Sequence, residues 1–285
     1  MEANEVARVG VVGCGLMGSG IVEVAARAGC AVTVVEGSDA LVTAGLDRVR
    51  ASVARAVDRG KLEAGERDAM LDRIGAGTSL RELAEVELVI EAATEDLDAK
   101  LAIFRELDDV TKPETVLATN TSSIPIVELA LATRRPDRVV GMHFFNPPPV
   151  MPLLELIPAL TTSDETVAFA AAVAERFGKT VVRAKDHAGF IVNRLLIPFL
   201  CDAARLYDEG FATREDIDTA MSLGLGHPMG PLALADFIGI DTCVAIAGIL
   251  HREFGDPRYA APPVMRRMAA AGYLGRKSGR GFYEY

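Results

Sequence analysis

A glycine-rich segment near the start of the chain has the residue types and the spacing that cradle phosphate groups. It runs from Gly13 to Gly18 as G-C-G-L-M-G, which fits the pattern G-x-G-x-x-G. Glycine allows a tight turn, a close backbone approach to a pyrophosphate and close packing of a helix on a strand. The segment follows an apolar β-branched run and precedes a helical pattern, the context that dinucleotide binding requires. The residues predicted to contact a dinucleotide here are Gly13, Gly15, Leu16, Met17 and Gly18.

An acidic residue at the end of the next predicted strand indicates which dinucleotide binds. Glu36 follows the last glycine of the motif by 18 residues. A carboxylate at this place accepts hydrogen bonds from the ribose hydroxyls of NAD, and it repels the 2′-phosphate of NADP. The residues that follow, 37–39, include no arginine. We therefore predict NAD as the cofactor. The alternative is a glycine turn in an α/β protein that binds no dinucleotide.

A predicted helix in residues 45–61 carries five basic and two acidic side chains. Arg48, Ser52, Arg55 and Arg59 are spaced by four, three and four residues, which places them on one helical face. Two interpretations have about equal support. The face is either an ordinary solvated surface or a dock for an anionic ligand such as the phosphates of coenzyme A.

The segments that must position these residues alternate between short β-branched runs and helical patterns. A helix is predicted over residues 21–28, and strands are predicted at 6–12, 31–35, 88–90, 116–118, 139–142 and 180–182. Such alternation is typical of an α/β doubly wound sheet. After Lys185 the pattern becomes helical, with no convincing strand. We predict an N-terminal Rossmann-like domain over residues 1–186 and an all-helical C-terminal domain over residues 187–285.

The composition excludes several classes of protein. Half of the 285 residues are hydrophobic and a quarter are charged, which is enough apolar material for a sizeable core. The net charge of −10 argues against nucleic acid or an anionic membrane as a partner. The four cysteines lack metal-ligand spacing, so no metal site is predicted. The acidic, polar residues 1–5 do not resemble a signal peptide, and we expect a cytoplasmic protein.

The most specific pattern is a series of motifs from the middle to the end of the chain. In order they are TNTSS at 119–123, HFFNP at 143–147, Glu155, GFIVNR at 189–194, GHPMGP at 226–231 and GRGFY at 279–283. Together they resemble the L-3-hydroxyacyl-CoA dehydrogenase family, and within it the stand-alone bacterial 3-hydroxybutyryl-CoA dehydrogenases. The resemblance runs from about Val6 to Tyr285 without a large insertion.

The resemblance implies four catalytic residues. His143 corresponds to the general base for oxidation and acid for reduction, and Glu155 to the residue that orients it. Ser122 and Asn193 correspond to the residues that contact the substrate oxygen. The chemistry suits these types, because alcohol oxidation releases a hydride together with a proton that imidazole can accept near neutral pH. A carboxylate on the far ring nitrogen fixes the tautomer and stabilises the imidazolium. The alternative for Glu155 is the exposed face of an edge strand.

The resemblance also implies binding residues around the cofactor and the substrate. Positions that line the nicotinamide ribose region or lie near the same pocket correspond to Glu95, Lys100, Asn120 and Asn146. Ser52 and Arg59 align with positions that meet coenzyme A. Many family members have lysine at the Arg59 position, so a planar guanidinium replaces a point charge there. Asp96 stands where the family often has asparagine, and Glu36 where many members have aspartate.

The activity implied is the NAD-dependent interconversion of a short (S)-3-hydroxyacyl-CoA and its 3-oxoacyl-CoA. The expected pair is 3-hydroxybutyryl-CoA and acetoacetyl-CoA, and the expected assembly is a homodimer formed through the helical domain. Three alternatives stay open. One is a dehydrogenase of a free hydroxy acid such as gulonate on the same scaffold. Another is a β-hydroxyacid dehydrogenase with a catalytic lysine, against which His143 and Glu155 speak. The third is a non-catalytic NAD-binding protein.

Overall fold

The computed structural model of the chain describes residues 6–285. The expectation about a signal peptide concerns residues 1–5 and lies outside the described residues. Contacts between Cα atoms divide the chain into two compact units, one ending at His187 and the other beginning at Ala188. The sequence had placed the boundary after residue 186.

The first unit is built on one sheet of eight strands. These are β1 (Arg8–Val12), β2 (Ala31–Val35), β3 (Ile74–Gly77), β4 (Leu88–Glu91), β5 (Val116–Thr119), β6 (Val139–Phe144), β7 (Leu153–Pro158) and β8 (Thr180–Arg183). Their order is β3-β2-β1-β4-β5-β6-β7-β8. Every neighbouring pair is parallel except β6 and β7, which run antiparallel. The order of the first six strands is that of the Rossmann fold, so the predicted fold class is confirmed.

The helices of the first unit are α1 (Leu16–Arg27), α2 (Asp39–Asp58), α3 (Ala64–Leu71), α4 (Leu97–Val110), α5 (Ile126–Ala130) and α6 (Asp164–Arg176). Helix α1 is the most deeply buried of them, with every residue from Gly18 to Ala26 inside the core. Three of the other helices begin at side-chain caps. Ser38, Asp96 and Ser163 each accept a hydrogen bond from a backbone N–H in the first turn, which satisfies a donor that has no partner within the helix.

The structure differs from the sequence prediction at two places in this unit. Strand β3 was not predicted, because two of its four residues are glycines and its apolar signal is weak. Helix α1 begins at Leu16 rather than at Ile21, because Gly18 and Gly20 weaken the helical pattern of its first turns. Both glycines are nonetheless required there. A Cβ on Gly20 would lie 2.6 Å from Cδ of Pro148, and one on Gly18 would lie 2.0 Å from the carbonyl oxygen of Gly13.

The second unit is helical, as predicted. Its helices are α7 (Val192–Asp208), α8 (Arg214–Leu225), α9 (Pro231–Ile238), α10 (Ile240–Phe254) and α11 (Pro263–Ala270). Two buried aspartates organise it. Asp218 accepts hydrogen bonds from the backbone N–H groups of Leu232 and Ala233 at the start of α9. Asp236 accepts from those of Phe282 and Tyr283, which ties the end of the chain to α9.

Among residues 6–285, no single helix is long and apolar enough to cross a bilayer. Helices α9 and α10 reach the required length and composition only when taken together, and they are bent by 94° where they meet.

Candidate active site

The glycine turn after β1 has the shape that a pyrophosphate needs. Gly13 has a φ of 89°, and a Cβ on it would lie 2.5 Å from Cα of Ala93, so the fold itself requires glycine there. Gly15 is different, because a Cβ on it would meet no atom within 4 Å. The space beside Gly15 is therefore open to a ligand. Helix α1 starts directly after it, with no side-chain cap and no acidic residue in its first turn. Its backbone N–H groups can accordingly meet a phosphate, and the turn fits NAD.

Glu36 lies beside this turn at the carboxyl end of β2. Its Oε1 accepts a hydrogen bond of 2.6 Å from the backbone N–H of Cys14. Its Oε2 accepts one of 3.2 Å from that of Gly37. The carboxylate predicted to recognise the adenosine ribose thus also holds the phosphate turn in place. Nothing in the sequence pattern indicated this second contact.

His143 and Glu155 are brought together by the antiparallel pairing of β6 with β7. The two residues lie directly opposite each other in the register, so their side chains share one face of the sheet. Nδ1 of His143 lies 2.7 Å from Oε2 of Glu155. Glu155 is 0% exposed and His143 is 7% exposed. Because β7 lies between β6 and β8, the alternative of an exposed edge position for Glu155 is wrong.

This pairing assigns the ring protons of His143. A carboxylate accepts hydrogen bonds and donates none, so the nitrogen facing Glu155 carries a proton. In the neutral ring the lone pair is then on Nε2, the atom that can take a proton from a bound alcohol. The ring of Phe145 packs against the imidazole, with the two centroids 4.7 Å apart.

Ser122 is positioned by Glu95, from the loop between β4 and α4. Oε1 of Glu95 accepts hydrogen bonds from the backbone N–H of Ser122 at 2.8 Å and from its hydroxyl at 3.1 Å. It also accepts from the hydroxyls of Thr121 and Ser123, at 2.7 and 3.0 Å. One carboxylate oxygen therefore gathers the whole turn after β5. The family resemblance assigns Glu95 to the cofactor region, and no sequence pattern predicts its contact with Ser122.

Lys100 and the two predicted asparagines lie in different surroundings. Lys100 is 1% exposed and bonds to Glu91 at the end of β4, a residue that the sequence analysis missed. The sequence feature that could have identified Glu91 is an acidic residue directly after the apolar run 88–90. Asn120 accepts a hydrogen bond of 2.8 Å from the backbone N–H of Phe144, which joins the ends of β5 and β6. Asn146 is exposed in the turn that follows β6.

The basic face of α2, together with the residues that follow the helix, lines a cavity of about 160 Å³. Its lining includes Ser52, Arg55, Arg59, Lys61 and prolines from the loop between β6 and β7. Ser52 and Arg59, predicted to meet the same ligand, therefore line one cavity together. Arg48 does not line it, and its guanidinium lies 3.4 Å from the carbonyl oxygen of Cys14 in the glycine turn.

Asn193, the remaining predicted site residue, belongs to the second unit. It is the second residue of α7 and is partly buried. The backbone just before the helix is unusual, since Phe190 has a φ of 46° and is the only described non-glycine residue with a positive φ. Strained backbone of this kind is common where a functional side chain must be aimed.

For metals, residues 6–285 contain no group of three potential ligands placed to hold an ion.

Comparisons with known proteins identify the family of the chain. The family model of the 3-hydroxyacyl-CoA dehydrogenase NAD-binding domain matches residues 8–187, and the model of that enzyme's C-terminal domain matches residues 189–285. The chain is 52% identical to 3-hydroxybutyryl-CoA dehydrogenase of Mycobacterium tuberculosis strain H37Rv, over 99% of this chain and 100% of the relative. It is 44% identical to the enzyme of that name from Bradyrhizobium diazoefficiens, over 99% and 97% of the two chains.

A solved structure shows the same likeness. The crystal structure of (S)-3-hydroxybutyryl-CoA dehydrogenase from Ralstonia eutropha superposes with a TM-score of 0.94 at 46% identity, covering 99% of each chain. Family-model matches that span almost all of residues 8–285 and relatives above 40% identity decide the classification. The chain belongs to the 3-hydroxyacyl-CoA dehydrogenase family, with that family's NAD-binding domain followed by its C-terminal domain.

Proposed function

We propose that this protein is an NAD-dependent dehydrogenase that interconverts short-chain (S)-3-hydroxyacyl-CoA and 3-oxoacyl-CoA, with 3-hydroxybutyryl-CoA and acetoacetyl-CoA as the reacting pair. The observation that carries the proposal is the buried hydrogen bond between His143 and Glu155. The strands that carry this pair belong to the same sheet as β1, which is followed by the glycine turn that fits NAD. The names of the relatives, which match over almost the whole chain, support this choice of substrate.

The residues of the chain supply the proton transfer. In the oxidation, Nε2 of His143 takes the hydroxyl proton of the substrate while Glu155 holds Nδ1 and stabilises the imidazolium that forms. When bound, NAD would supply the acceptor for the hydride that leaves the carbon bearing that hydroxyl. In the reduction, the imidazolium returns its proton to the developing alkoxide. The burial of Glu155 strengthens its interaction with the imidazolium, because little water is present to screen the charge.

Ser122 is proposed to hold the substrate oxygen, on which negative charge develops during reduction. A hydroxyl aimed at that oxygen would stabilise the transition state more than the ground state. For Ser122 the geometry supports this role, since Glu95 fixes both its backbone and its hydroxyl. The role that the family resemblance assigns to Asn193 stays a prediction.

The features of the first unit weigh against the alternatives. A dehydrogenase of a free hydroxy acid has no need for the cavity where Ser52, Arg55, Arg59 and Lys61 meet, whereas the phosphates of coenzyme A would use it. Burying the Glu155 carboxylate costs free energy, because its charge loses contact with water. A protein that only binds NAD has no need for such a carboxylate beside a histidine.

A homodimer is proposed for the assembly. The second unit exposes large apolar side chains, among them Leu195, Phe211, Leu223, Leu225 and Phe237. It also contains an open, almost wholly apolar groove of about 350 Å³ between α7 and α8. Exposed apolar surface of this kind is typical of protein–protein interfaces. Light scattering on the purified chain measures the mass of the assembly.

A cytoplasmic location stays a prediction.

The test of the proposed function is NADH consumption with acetoacetyl-CoA, run beside free acetoacetate and beside NADPH. We expect turnover that requires the thioester and that prefers NADH. Turnover of free acetoacetate alone would favour the free-acid alternative. NADH binding without turnover of either substrate would favour the non-catalytic alternative.

The variants Glu155→Gln and His143→Ala test the proton-transfer pair. Both should lower kcat by about two orders of magnitude or more, since general acid–base catalysis contributes about that much. The affinity for NADH should change little, because neither residue is proposed to bind it. Steady-state kinetics with acetoacetyl-CoA and NADH fluorescence titration measure the two quantities. Near-normal kcat in either variant would remove His143 and Glu155 from the mechanism.

The variant Glu36→Gln tests cofactor selection without removing the acceptor that Cys14 uses. Loss of the negative charge should lower the ratio of kcat/KM for NADH to that for NADPH by about tenfold or more, because the repulsion between the carboxylate and the 2′-phosphate of NADPH is removed. Glu36→Asp is the matched control, since it keeps the charge. An unchanged ratio in Glu36→Gln would mean that the ribose is recognised by other residues.

The variant Arg59→Ala tests the coenzyme A dock. It should raise KM for acetoacetyl-CoA, and the increase should be larger at low ionic strength than at high, because salt screens an exposed charge. The value of kcat should stay close to that of the wild type. Kinetics at two salt concentrations provide the comparison. An increase that is insensitive to salt would return this face of α2 to the interpretation as a solvated surface.

A further inference from the structure

A fully buried ion pair lies at the carboxyl edge of the sheet, next to the proposed site. Nζ of Lys100 lies 2.7 Å from Oε1 and 2.6 Å from Oε2 of Glu91. The two side chains are 2% and 0% exposed. Removing two charges from water is costly, and an apolar pair of similar volume often stabilises a fold equally well. The pair therefore calls for an explanation other than stability.

Glu91 has further donors that hold its carboxylate in one orientation. Oε1 accepts a hydrogen bond of 2.8 Å from the backbone N–H of Ala93. Oε2 accepts one of 2.8 Å from the hydroxyl of Thr119. The carboxylate thus ties together the end of β4, helix α4 and the end of β5, and each oxygen has a donor besides Lys100.

Two paths lead from Glu91 to Ser122. In the first, the hydroxyl of Thr119 donates to Glu91 and accepts from the backbone N–H of Thr121, at 3.2 Å, which sets the start of the turn that carries Ser122. In the second, Nζ of Lys100 lies 3.7 Å from Oε2 of Glu95, an ion-pair distance. Glu95 in turn holds the N–H and the hydroxyl of Ser122. Lys100 has three N–H groups, and two of them donate to the two oxygens of Glu91. The third N–H of Lys100 is therefore directed away from Glu91.

We infer that Glu91 is a positioning residue for the dehydrogenase reaction: its buried carboxylate fixes the Lys100 ammonium and the Thr119–Ser122 turn relative to each other. The inference rests on the proposed function and extends it to a residue that is 0% exposed. Glu91 acts through Lys100 on the cofactor side and through Thr119 on the side of Ser122.

The variant Glu91→Gln tests the inference with almost no change of volume. One oxygen becomes an amide that donates, and it then faces groups that are donors themselves: Lys100, and either Ala93 N–H or Thr119 hydroxyl. The ammonium loses its counter-charge at the same time. We expect KM for NADH to rise and kcat to fall, each by about tenfold, because small displacements at a preorganised site are costly. KM for acetoacetyl-CoA should change much less, since the cavity beside α2 is untouched.

Glu87→Gln is the matched control. Glu87 immediately precedes β4 and forms an ion pair with Arg8, whose Nη2 lies 2.6 Å from its Oε1. It also accepts from the backbone N–H groups of Ala7 and Arg8. The control removes the same charge from the opposite end of β4. It should lower the melting temperature and leave both KM values and kcat within about twofold of the wild type.

Thr119→Val provides a second variant in case Glu91→Gln folds poorly. It removes one hydroxyl from the network and keeps the shape of the buried side chain. We expect a fall in kcat with KM for NADH close to normal, because Lys100 keeps its partner. If Glu91→Gln melts lower but keeps wild-type KM for NADH and kcat, or if Thr119→Val keeps wild-type kcat, the inference is overturned.

The failure of this inference and of the proposed function are distinguishable. Absence of turnover of acetoacetyl-CoA by the wild-type protein would contradict the proposed function. The predicted effect of Glu91 on cofactor binding can still be tested in that case. Fluorescence titration measures the NADH affinity of the wild type, Glu91→Gln and Glu87→Gln. Weaker NADH binding in Glu91→Gln alone supports the role of Glu91, and equal binding in all three proteins overturns it.

Discussion

The antiparallel pairing of β6 with β7 is the constraint on which the proposed chemistry depends. All the other strand pairs of the sheet are parallel, and a parallel partner beside β6 would arrive only after a long crossover. The reversal instead brings the chain back after a short loop, with Glu155 directly opposite His143. A pair that must transfer protons is thereby held by backbone hydrogen bonds of a sheet interior, and its geometry does not rely on a mobile loop.

The parallel strands place further proposed site residues of the first unit at the same edge. Because the carboxyl ends of β1, β2, β4 and β5 coincide there, the glycine turn, Glu36, Glu91 and the Ser122 turn follow from one topological rule. The polar groups at this edge are not isolated. Glu36 bonds to the glycine turn, Glu95 to the Ser122 turn and Glu91 to Lys100 and Thr119. Each carboxylate satisfies donors that would otherwise lack partners close to an apolar core.

Much of this arrangement could be predicted from the sequence. The glycine pattern, the β-branched runs and the family motifs predicted the fold class, the cofactor and the pairing of His143 with Glu155. Local patterns could not predict Glu91, because its significance arises from Lys100, nine residues later, and from Thr119 on another strand. The bond between Glu95 and Ser122 was missed for the same reason. Strand β3 escaped prediction because its glycines give no apolar alternation, and its pairing with β2 decides its conformation.

The double duty of Glu36 has a consequence for attempts to redesign this enzyme. Its carboxylate recognises the ribose in our proposal, and it also accepts the hydrogen bond from Cys14 N–H that shapes the phosphate turn. An arginine at this position could attract the 2′-phosphate of NADP, but it has no acceptor to offer Cys14. An arginine introduced here alone would therefore add the new charge and leave the Cys14 N–H without its present acceptor. A design that uses arginine at this position needs a second substitution to restore that acceptor.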